Sequence, residues 1–346
     1  MDRPRNFPEE GFVGRPEIVA LRAPGRLHLG FLDPAASLGR RFGSVGLMIN
    51  GFETEVEISA SASDQITARG PEEHAETERA AACLSLLRTH SGRAEPLHLR
   101  IVQVLPAHAG FGSGTQLALA IGRAFALWHG LGVPTATLAQ WLGRGLRSGI
   151  GIAGFDHGGL IVDGGPSANG APAPVLSRIP LPEAWRVLIV QDSAQKGLSG
   201  HEERKRIAGL PPLPRALAAE LCHQVLMRVL PGAATADFAS FAQGVLHVQQ
   251  VLGEHFAPAQ GGRIFASEAV GRLLGWALQA EHVAAIGQSS WGPTGFAILP
   301  SQARAQAALD AMLAANLIAP SLTLRIVSGR NSGAALLDRR LEVPEP

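Results

Sequence analysis

The chain has 346 residues, of which 46% are hydrophobic and 17% charged, and its formal net charge at pH 7 is +1. This length predicts two domains, and the high apolar content excludes an intrinsically disordered chain. A near-neutral net charge does not predict the basic surface typical of nucleic-acid-binding proteins. No apolar stretch is long enough to predict a membrane span.

The first half of the chain alternates strand-like and helix-like segments after a polar start that predicts a loose tail at 1–16. Apolar patterning predicts strands at 18–31, 45–50, 55–60, 97–104 and 159–163. Helical spacing of apolar residues predicts helices at 73–89, directly after residue 113, and at 138–146. A glycine-rich turn is expected between the last of these helices and the strand at 159–163.

The stretch 164–182 is rich in Gly, Pro, Ala and Ser, which is typical of a domain linker. We therefore expect an N-terminal domain at 17–175 and a C-terminal domain at 183–340. The second half predicts strands at 185–191, 283–286, 295–299 and 322–327, and helices at 214–230, 235–256, 265–279 and 301–316. Strands mixed with helices in both halves predict a two-domain α+β protein.

The loop at 106–116 reads Pro-Ala-His-Ala-Gly-Phe-Gly-Ser-Gly-Thr-Gln and connects a predicted strand to a predicted helix. Its glycines allow positive φ and close approach of the backbone to a ligand, and the free N–H groups of the following helix favour an anion. Five residues are predicted to bind phosphate: Gly110, Gly112, Ser113, Gly114 and Thr115. The alternative is a plain strand–helix connection in which one of the two hydroxyl side chains caps the helix.

Three segments of the chain, in order, resemble the sequence motifs of the GHMP-kinase superfamily. They are Ala-Pro-Gly-Arg-Leu-His-Leu-Gly at 23–30, Pro-x3-Gly-Phe-Gly-Ser-Gly-Thr at 106–115 and Gly-Gln-Ser-Ser-Trp-Gly-Pro-Thr-Gly at 287–295. The resemblance implies an N-terminal domain like domain 2 of ribosomal protein S5 and a ferredoxin-like C-terminal domain. Ligands are then expected in the cleft between the two domains.

The chain departs from a kinase of this superfamily at one position. Where the kinases carry Ser-Gly-x-Asp-x-Ala, residues 148–153 read Ser-Gly-Ile-Gly-Ile-Ala, so Gly151 stands at the position of the catalytic Asp. A glycine cannot accept a proton or orient a hydroxyl group, which argues against phosphoryl transfer. Asp156 would replace that carboxylate only if the chain were rerouted by several residues.

Four segments, at 24–33, 147–165, 196–203 and 260–262, look like those of the β-ribofuranosylaminobenzene 5'-phosphate synthases. This resemblance implies a decarboxylating phosphoribosyl transferase of tetrahydromethanopterin biosynthesis. Its substrates would be phosphoribosyl diphosphate and 4-aminobenzoate or 4-hydroxybenzoate, and its products would include CO2 and diphosphate. Mg²⁺ is expected to neutralise the departing diphosphate, with no other cofactor. An ATP-dependent small-molecule kinase and a non-catalytic ligand-binding relative remain open as alternatives.

Candidate site residues come from the same segments. We predict three catalytic residues: Asp156, His157 and Lys196. We predict six substrate-binding residues: Arg26, His28, Arg147, Glu203, Gln260 and Ser290. Most have a structural alternative: a buried polar pair, a helix-terminal cation, turn chemistry or a solvated charge run. The metal ligands are left open.

The remaining expectations concern the compartment and the partners. The cysteines, Cys83 and Cys222, are far apart and outside any Cys-x-x-Cys pair, which predicts a reduced, cytoplasmic compartment. The partners expected are small-molecule substrates, with neither nucleic acid nor membrane and with a homodimer left possible.

Overall fold

The computed structural model describes residues 16–167, 171–195, 197, 206, 209–281 and 284–338. The strands are β1 (Ile18–Asp33), β2 (Phe42–Ala60), β3 (Gln65–Ala68), β4 (Leu97–Gln103), β5 (Leu160–Asp163), β6 (Val175–Ile179), β7 (Arg186–Asp192), β8 (Ala285–Gln288), β9 (Thr294–Leu299), β10 (Leu322–Ser328) and β11 (Ala335–Leu337). The α-helices are α1 (Pro71–His74), α2 (Thr77–Ser91), α3 (Ser113–Trp128), α4 (Thr135–Trp141), α5 (Ile150–His157), α6 (Arg215–Gln224), α7 (Leu230–Thr235), α8 (Phe238–Phe256), α9 (Glu268–Glu281) and α10 (Gln302–Ala314). A π-helical turn at Val225–Val229 joins α6 to α7, and a 3₁₀ turn at Ala257–Gln260 follows α8. These elements confirm the α+β prediction.

The first sheet has seven strands and is built around the long antiparallel pair of β1 and β2. Its strand order is β11-β1-β2-β4-β3, with β5 pairing β2 and β6 pairing β5. The predicted strands at 45–50 and 55–60 belong to one continuous strand, β2. The residues between these two segments lie opposite a register shift in β1, between Pro24 and Arg26. Gly25 lies at this shift, where an added Cβ would be 2.9 Å from the side chain of Leu105.

Two corrections to the predicted boundaries concern the first sheet. The stretch 164–182, predicted as a linker, contains β6, which pairs antiparallel with β5, so the first sheet extends to Ile179. The chain also returns to this sheet near its C-terminus, because β11 pairs with β1. The first sheet therefore draws on residues outside the 17–175 segment expected to form it.

A further correction concerns α5, which occupies part of the segment predicted as a glycine-rich turn. Its glycines allow the helix to pack closely on β2, because an added Cβ on Gly154 would lie 2.1 Å from Sδ of Met48. Tertiary packing thus overrides the low helix propensity of glycine. The predicted helix at 73–89 is divided into α1 and α2, and the helix predicted at 138–146 is shifted to Thr135–Trp141.

The second sheet has four antiparallel strands in the order β10-β7-β9-β8. Helices α9 and α10 pack on one face through a core that includes Leu188, Leu274 and Met312. Helix α8 reaches β1 of the first sheet, where Leu252 lies against Gly30. Both sheets contribute to a single buried cluster with α8, so a continuous apolar core joins them. No helix in the described ranges combines the length and apolar character that crossing a bilayer requires.

Candidate functional site

The loop before α3 has the geometry of an anion cradle. Gly110 and Gly112 have φ values of +90° and +80°, and Gly112 is the residue that precedes the first turn of α3. The amides of Thr115 and Gln116 donate to the carbonyl of Gly112 over 3.0 Å. The first amides of α3 point out of the helix without an intrahelical acceptor, as at every helix N-terminus. No side chain caps α3, so the capping role considered for the two hydroxyls is not seen.

The three sequence motifs meet at this loop. The guanidinium of Arg26 and the hydroxyl of Ser289 both donate to the carbonyl of Gly110, the latter over 2.7 Å. The Ser289 hydroxyl also accepts from the amide of His28 at 3.0 Å, and the amide of Ser290 donates to the His28 carbonyl at 3.2 Å. The first strand, the glycine-rich loop and the segment after β8 therefore form one hydrogen-bonded unit.

A cavity of about 300 Å³ opens in front of this unit. Its described lining includes three arginines, Arg26, Arg144 and Arg147, together with Gly112 and Thr115 at the start of α3. No Asp or Glu is among the described residues that line it. Guanidinium groups and a helix N-terminus both attract anions, so we call this space the cationic cavity.

Arg144 did not emerge from the sequence. It lies in a tight turn between Gly143 and Gly145, whose φ values are +63° and +84°, and its guanidinium also interacts with the thiol of Cys83. Its Nη1 atom would be 3.7 Å from a Cβ at Gly114. A lone arginine flanked by glycines gives no periodic signal, so only the fold reveals its position beside α3.

Asp163 positions the turn that carries Arg147. This carboxylate is fully buried and accepts hydrogen bonds from the amide of Gly149 at 2.8 Å, the hydroxyl of Ser148 at 3.1 Å and the amide of Gly165 at 2.8 Å. Burial raises the pKa of Asp163, and these hydrogen bonds oppose the shift. The Asp163 carboxylate therefore anchors the turn before α5.

His28 is one of the residues that line the cationic cavity. It is only 3% exposed, and its Nε2 atom has no hydrogen-bond partner among the described residues. Its ring makes an edge contact with Phe31, with the ring centroids 4.7 Å apart. Burial holds the pKa of His28 well below its ordinary value, and the positive charges of Arg26 and Arg147 lower it further. The imidazole is therefore neutral at pH 7.

A second cavity, of about 360 Å³, begins on the other side of His28. Its described lining includes four Phe and Trp side chains: Phe31, Phe256, Phe265 and Trp291. The rings of Phe256 and Trp291 are tilted, with centroids 4.8 Å apart. We call this space the aromatic cavity. His28, Phe31 and Ser290 line both cavities, so the two spaces share one wall.

Glutamines form the polar part of the aromatic cavity. Gln260 accepts a hydrogen bond from Nε2 of Gln288 at 2.9 Å, and the same Gln288 atom donates to the carbonyl of Ser290 at 2.8 Å. The side-chain oxygen of Gln249 accepts a hydrogen bond from the backbone amide of Gln288 at 2.8 Å. Ser290 has a φ of +56°, which is uncommon for a residue other than glycine. The glutamine side chains thus hold Ser290 in place at the shared wall, through Gln288.

The structure places Asp156 and His157 away from the two cavities. Asp156 accepts from the hydroxyl of Thr135 at 2.5 Å, that hydroxyl accepts from Arg123, and burial raises the pKa of Asp156. Neither Asp156 nor His157 is among the described residues lining the two cavities, and the carbonyl of His157 accepts from Arg178 at 2.8 Å. These contacts favour a structural role for both.

Gly151, by contrast, lines the cationic cavity. An added Cβ would lie 3.1 Å from the Thr115 side chain, and the Gly151 carbonyl accepts from the side chain of Gln116 at 3.0 Å. The position at which the kinases carry a carboxylate therefore faces the start of α3. Lys196 and Glu203 lie outside the described residues.

Two family profiles match the chain. The profile described as "GHMP kinases N terminal domain" matches residues 78–159, and the one described as "GHMP kinases C terminal" matches residues 237–319. The first covers the cradle and α5, and the second covers α8 and the segment after β8.

Curated relatives and a solved structure agree with these matches. The chain is 34% identical over 298 residues to the beta-ribofuranosylphenol 5'-phosphate synthase of Archaeoglobus fulgidus, which covers 83% of this chain and 89% of that protein. It is 30% identical over 337 residues to the protein of the same name from Methanothermobacter thermautotrophicus, with 92% and 98% covered. The crystal structure of homoserine kinase from Cytophaga hutchinsonii superposes with a TM-score of 0.65 at 16% identity, covering 94% of this chain and 99% of that one.

Proposed function

This chain belongs to the beta-ribofuranosylphenol 5'-phosphate synthase family, with the two-domain GHMP-kinase fold, and we propose on that premise that it is a decarboxylating phosphoribosyl transferase. The family and fold inferred from the sequence motifs are thereby confirmed. The substrates proposed are phosphoribosyl diphosphate and 4-hydroxybenzoate, because the relatives' name specifies a phenol. With 4-aminobenzoate the product would carry an amino group instead. The proposed pathway is tetrahydromethanopterin biosynthesis.

One observation carries the proposal: a cationic cavity and an aromatic cavity share a wall formed by His28, Phe31 and Ser290. A reaction between a phosphorylated sugar and a benzene ring needs one highly charged and one apolar subsite, with the reacting carbons at the boundary. An apolar pocket with a few polar groups is typical of small-molecule sites. The described aromatic cavity has this character.

The cationic cavity would take the diphosphate. The free amides at the start of α3 and the guanidinium groups of Arg26, Arg144 and Arg147 would stabilise its charge as the bond to the anomeric carbon breaks. That bond's electron pair leaves with diphosphate, and a π pair of the ring forms the new carbon–carbon bond. The carboxylate then leaves as CO2 and returns its electron pair to the ring.

The glycine at position 151 fits this chemistry. A kinase needs a carboxylate to orient or deprotonate a hydroxyl nucleophile. A ring carbon carries no proton that must be removed before it attacks, because the para hydroxyl group supplies the electrons. Gly151 also keeps negative charge away from the space proposed for diphosphate.

The described residues give less support for a magnesium site than for the subsites proposed for diphosphate and the ring. Within those ranges no group of three or more His, Cys, Asp or Glu side chains is arranged to hold a metal ion. The described lining of the cationic cavity also has no carboxylate. The described residues thus show no preformed metal cluster, and the requirement for Mg²⁺ stays a prediction.

The test follows carboxyl-labelled 4-hydroxybenzoate. We expect labelled CO2 and a ribosylated phenol only when phosphoribosyl diphosphate is present, with Mg²⁺ supplied and then removed by chelation to test the metal. Parallel incubations with ATP and homoserine, mevalonate or galactose test for a kinase. Phosphorylation of any of these with no labelled CO2 under any condition would overturn the proposal.

A matched pair of variants tests the placement of diphosphate. Arg144→Met removes a guanidinium from the cationic cavity, whereas Arg272→Met removes one from the surface of α9, where its side chain is 73% exposed. A charge-assisted hydrogen bond contributes roughly 1.5–3 kcal/mol, so the first variant should bind phosphoribosyl diphosphate about 10- to 100-fold more weakly. Equal affinities for the two variants would place the diphosphate elsewhere.

A further inference from the structure

His28 is the side chain best placed to meet the reacting part of the acceptor. It lines both cavities, and the diphosphate proposed for the cationic cavity would put the anomeric carbon near their shared wall. The ring carbon that attacks must lie within bonding reach of that anomeric carbon. The carboxylate on the same ring carbon is therefore held at the wall, beside the imidazole.

The protein leaves one ring nitrogen of His28 without a hydrogen-bond partner among the described residues. The backbone amide and carbonyl of His28 are used by Ser289 and Ser290, but Nε2 has no partner in the described part of the chain. An unpartnered polar atom that is buried costs free energy unless a ligand or water completes its hydrogen bonding. The orphaned imidazole therefore suits a ligand group at the wall.

The charged groups acting on this ring are Arg26, on its own strand, and Arg147, on the turn before α5. The elements facing it from the C-terminal domain present Gln249, Gln288 and Ser290 to the cavities, which are uncharged. A protonated imidazole would face two cations with no described counter-charge. The ring is thus a hydrogen-bonding group rather than an ionic one.

We propose that His28, as a neutral imidazole, donates a hydrogen bond to the carboxylate of the aromatic acceptor and so fixes the ring carbon at the shared wall. The proposal rests on the proposed function and adds a substrate-contacting residue to it. A neutral partner suits the reaction, because a full positive charge beside the carboxylate would stabilise its negative charge. That stabilisation would oppose transfer of the electron pair into the ring when the C–C bond to CO2 breaks.

Replacing the side chain tests this role while leaving the backbone contacts to Ser289 and Ser290 in place. His28→Leu keeps comparable bulk against Phe31 but removes the donor, and His28→Asn keeps a neutral donor. Binding of 4-hydroxybenzoate, and of phenol as the analogue without a carboxylate, is measured by calorimetry for each variant in the presence of diphosphate. We expect His28→Leu to weaken 4-hydroxybenzoate about 10- to 100-fold and phenol by less than about 3-fold.

His28→Asn should retain most of the discrimination in favour of 4-hydroxybenzoate. Equal loss of both ligands in His28→Leu would show a packing role and would overturn the proposal, as would unchanged binding of both. Circular dichroism and diphosphate affinity identify a variant that fails to fold, in which case His28→Asn and His28→Gln decide between the outcomes by the same ligand pair.

A pH series tests neutrality. The affinity of the unmodified protein for 4-hydroxybenzoate should stay level between pH 8 and pH 6. A rise in affinity as the pH falls, absent in His28→Asn, would show a charged imidazole and overturn the proposal. Failure of the proposed function is distinguished by turnover: it fails if the unmodified protein releases no labelled CO2, whereas the role of His28 is decided by the ligand pair.

Discussion

Replacing Gly151 by Asp puts back the carboxylate that a kinase of this fold would carry. The position is the second residue of α5, so an acidic side chain there is compatible with the helix dipole and should not unfold the helix. The added Cβ would approach the Thr115 side chain to 3.1 Å, which a small rotation of that side chain relieves. The variant is therefore expected to fold.

The charge is the damaging part of this change. With an effective dielectric constant of about 20, a carboxylate roughly 5 Å from a phosphate oxygen costs about 3 kcal/mol per pair of unit charges. That penalty corresponds to roughly 100-fold weaker binding of phosphoribosyl diphosphate at low salt. Gly151→Asn introduces the same bulk without the charge and is the matched control.

The assay measures diphosphate affinity and labelled CO2 release for both variants at low and high ionic strength. Gly151→Asp should lose far more than Gly151→Asn, and salt should narrow the difference, because screening weakens charge repulsion. Neither variant should phosphorylate homoserine, mevalonate or galactose. Equal losses in the two variants would mean that bulk is the cause, and would refute the reasoning that position 151 must stay uncharged.

Three other changes have expected outcomes. Gly112→Val should abolish diphosphate binding, whereas Gly130→Val, at the other end of α3 with a similar positive φ and open space around it, should cost only stability; binding by both would reduce the loop to a connector. Asp163→Asn should destabilise the fold by about 1–3 kcal/mol in urea unfolding and weaken diphosphate binding, since an NH2 donor replaces one of the two oxygens that accept from the turn carrying Arg147 and from Gly165; an unchanged free energy of unfolding would contradict this role. The pKa of His28 is lowered in the folded protein, so as the pH falls the unfolded chain takes up this proton first, and the stability present above about pH 6.5 is lost below it. In urea unfolding from pH 8 to pH 5, His28→Asn should lose less free energy of unfolding than the unmodified protein. Parallel curves for the two proteins would exclude His28 as the cause.

The parts of the fold that could be predicted are those with strong local patterns. Helix α3 is buried over almost its whole surface, and the strand and glycine loop before it have distinct signatures. Strands β6 and β11 are short, and their pairing partners β5 and β1 are set by the fold rather than by their own residues. Helix α5 was missed because its glycines have low helix propensity, and only its packing on β2 explains them.

The candidate site was predictable in the same uneven way. Motif resemblance identified Arg26, His28 and Ser290, which the structure brings together at the two cavities. Resemblance gave no reason to select Arg144 or to assign Asp163 its role beneath the turn, because both depend on which segments the fold brings together. Adjacency to the glycine-rich segment suggested Asp156, whose carboxylate instead accepts a hydrogen bond from Thr135 and is not among the described residues that line the cavities.

If the proposed function is correct, the glycine at 151 and the aromatic cavity serve the same reaction. The cradle for phosphate is made largely of backbone amides, so it serves any reaction at a phosphorylated carbon or phosphorus. What differs is the nucleophile. A hydroxyl group must lose a proton, and in the kinases a carboxylate orients or deprotonates it. A ring carbon loses no proton before it attacks, but it must approach a reactive sugar carbon that water would otherwise capture. On the proposed function, an uncharged position 151 suits a nucleophile that loses no proton, and the aromatic walls next to His28 suit the ring that carries it.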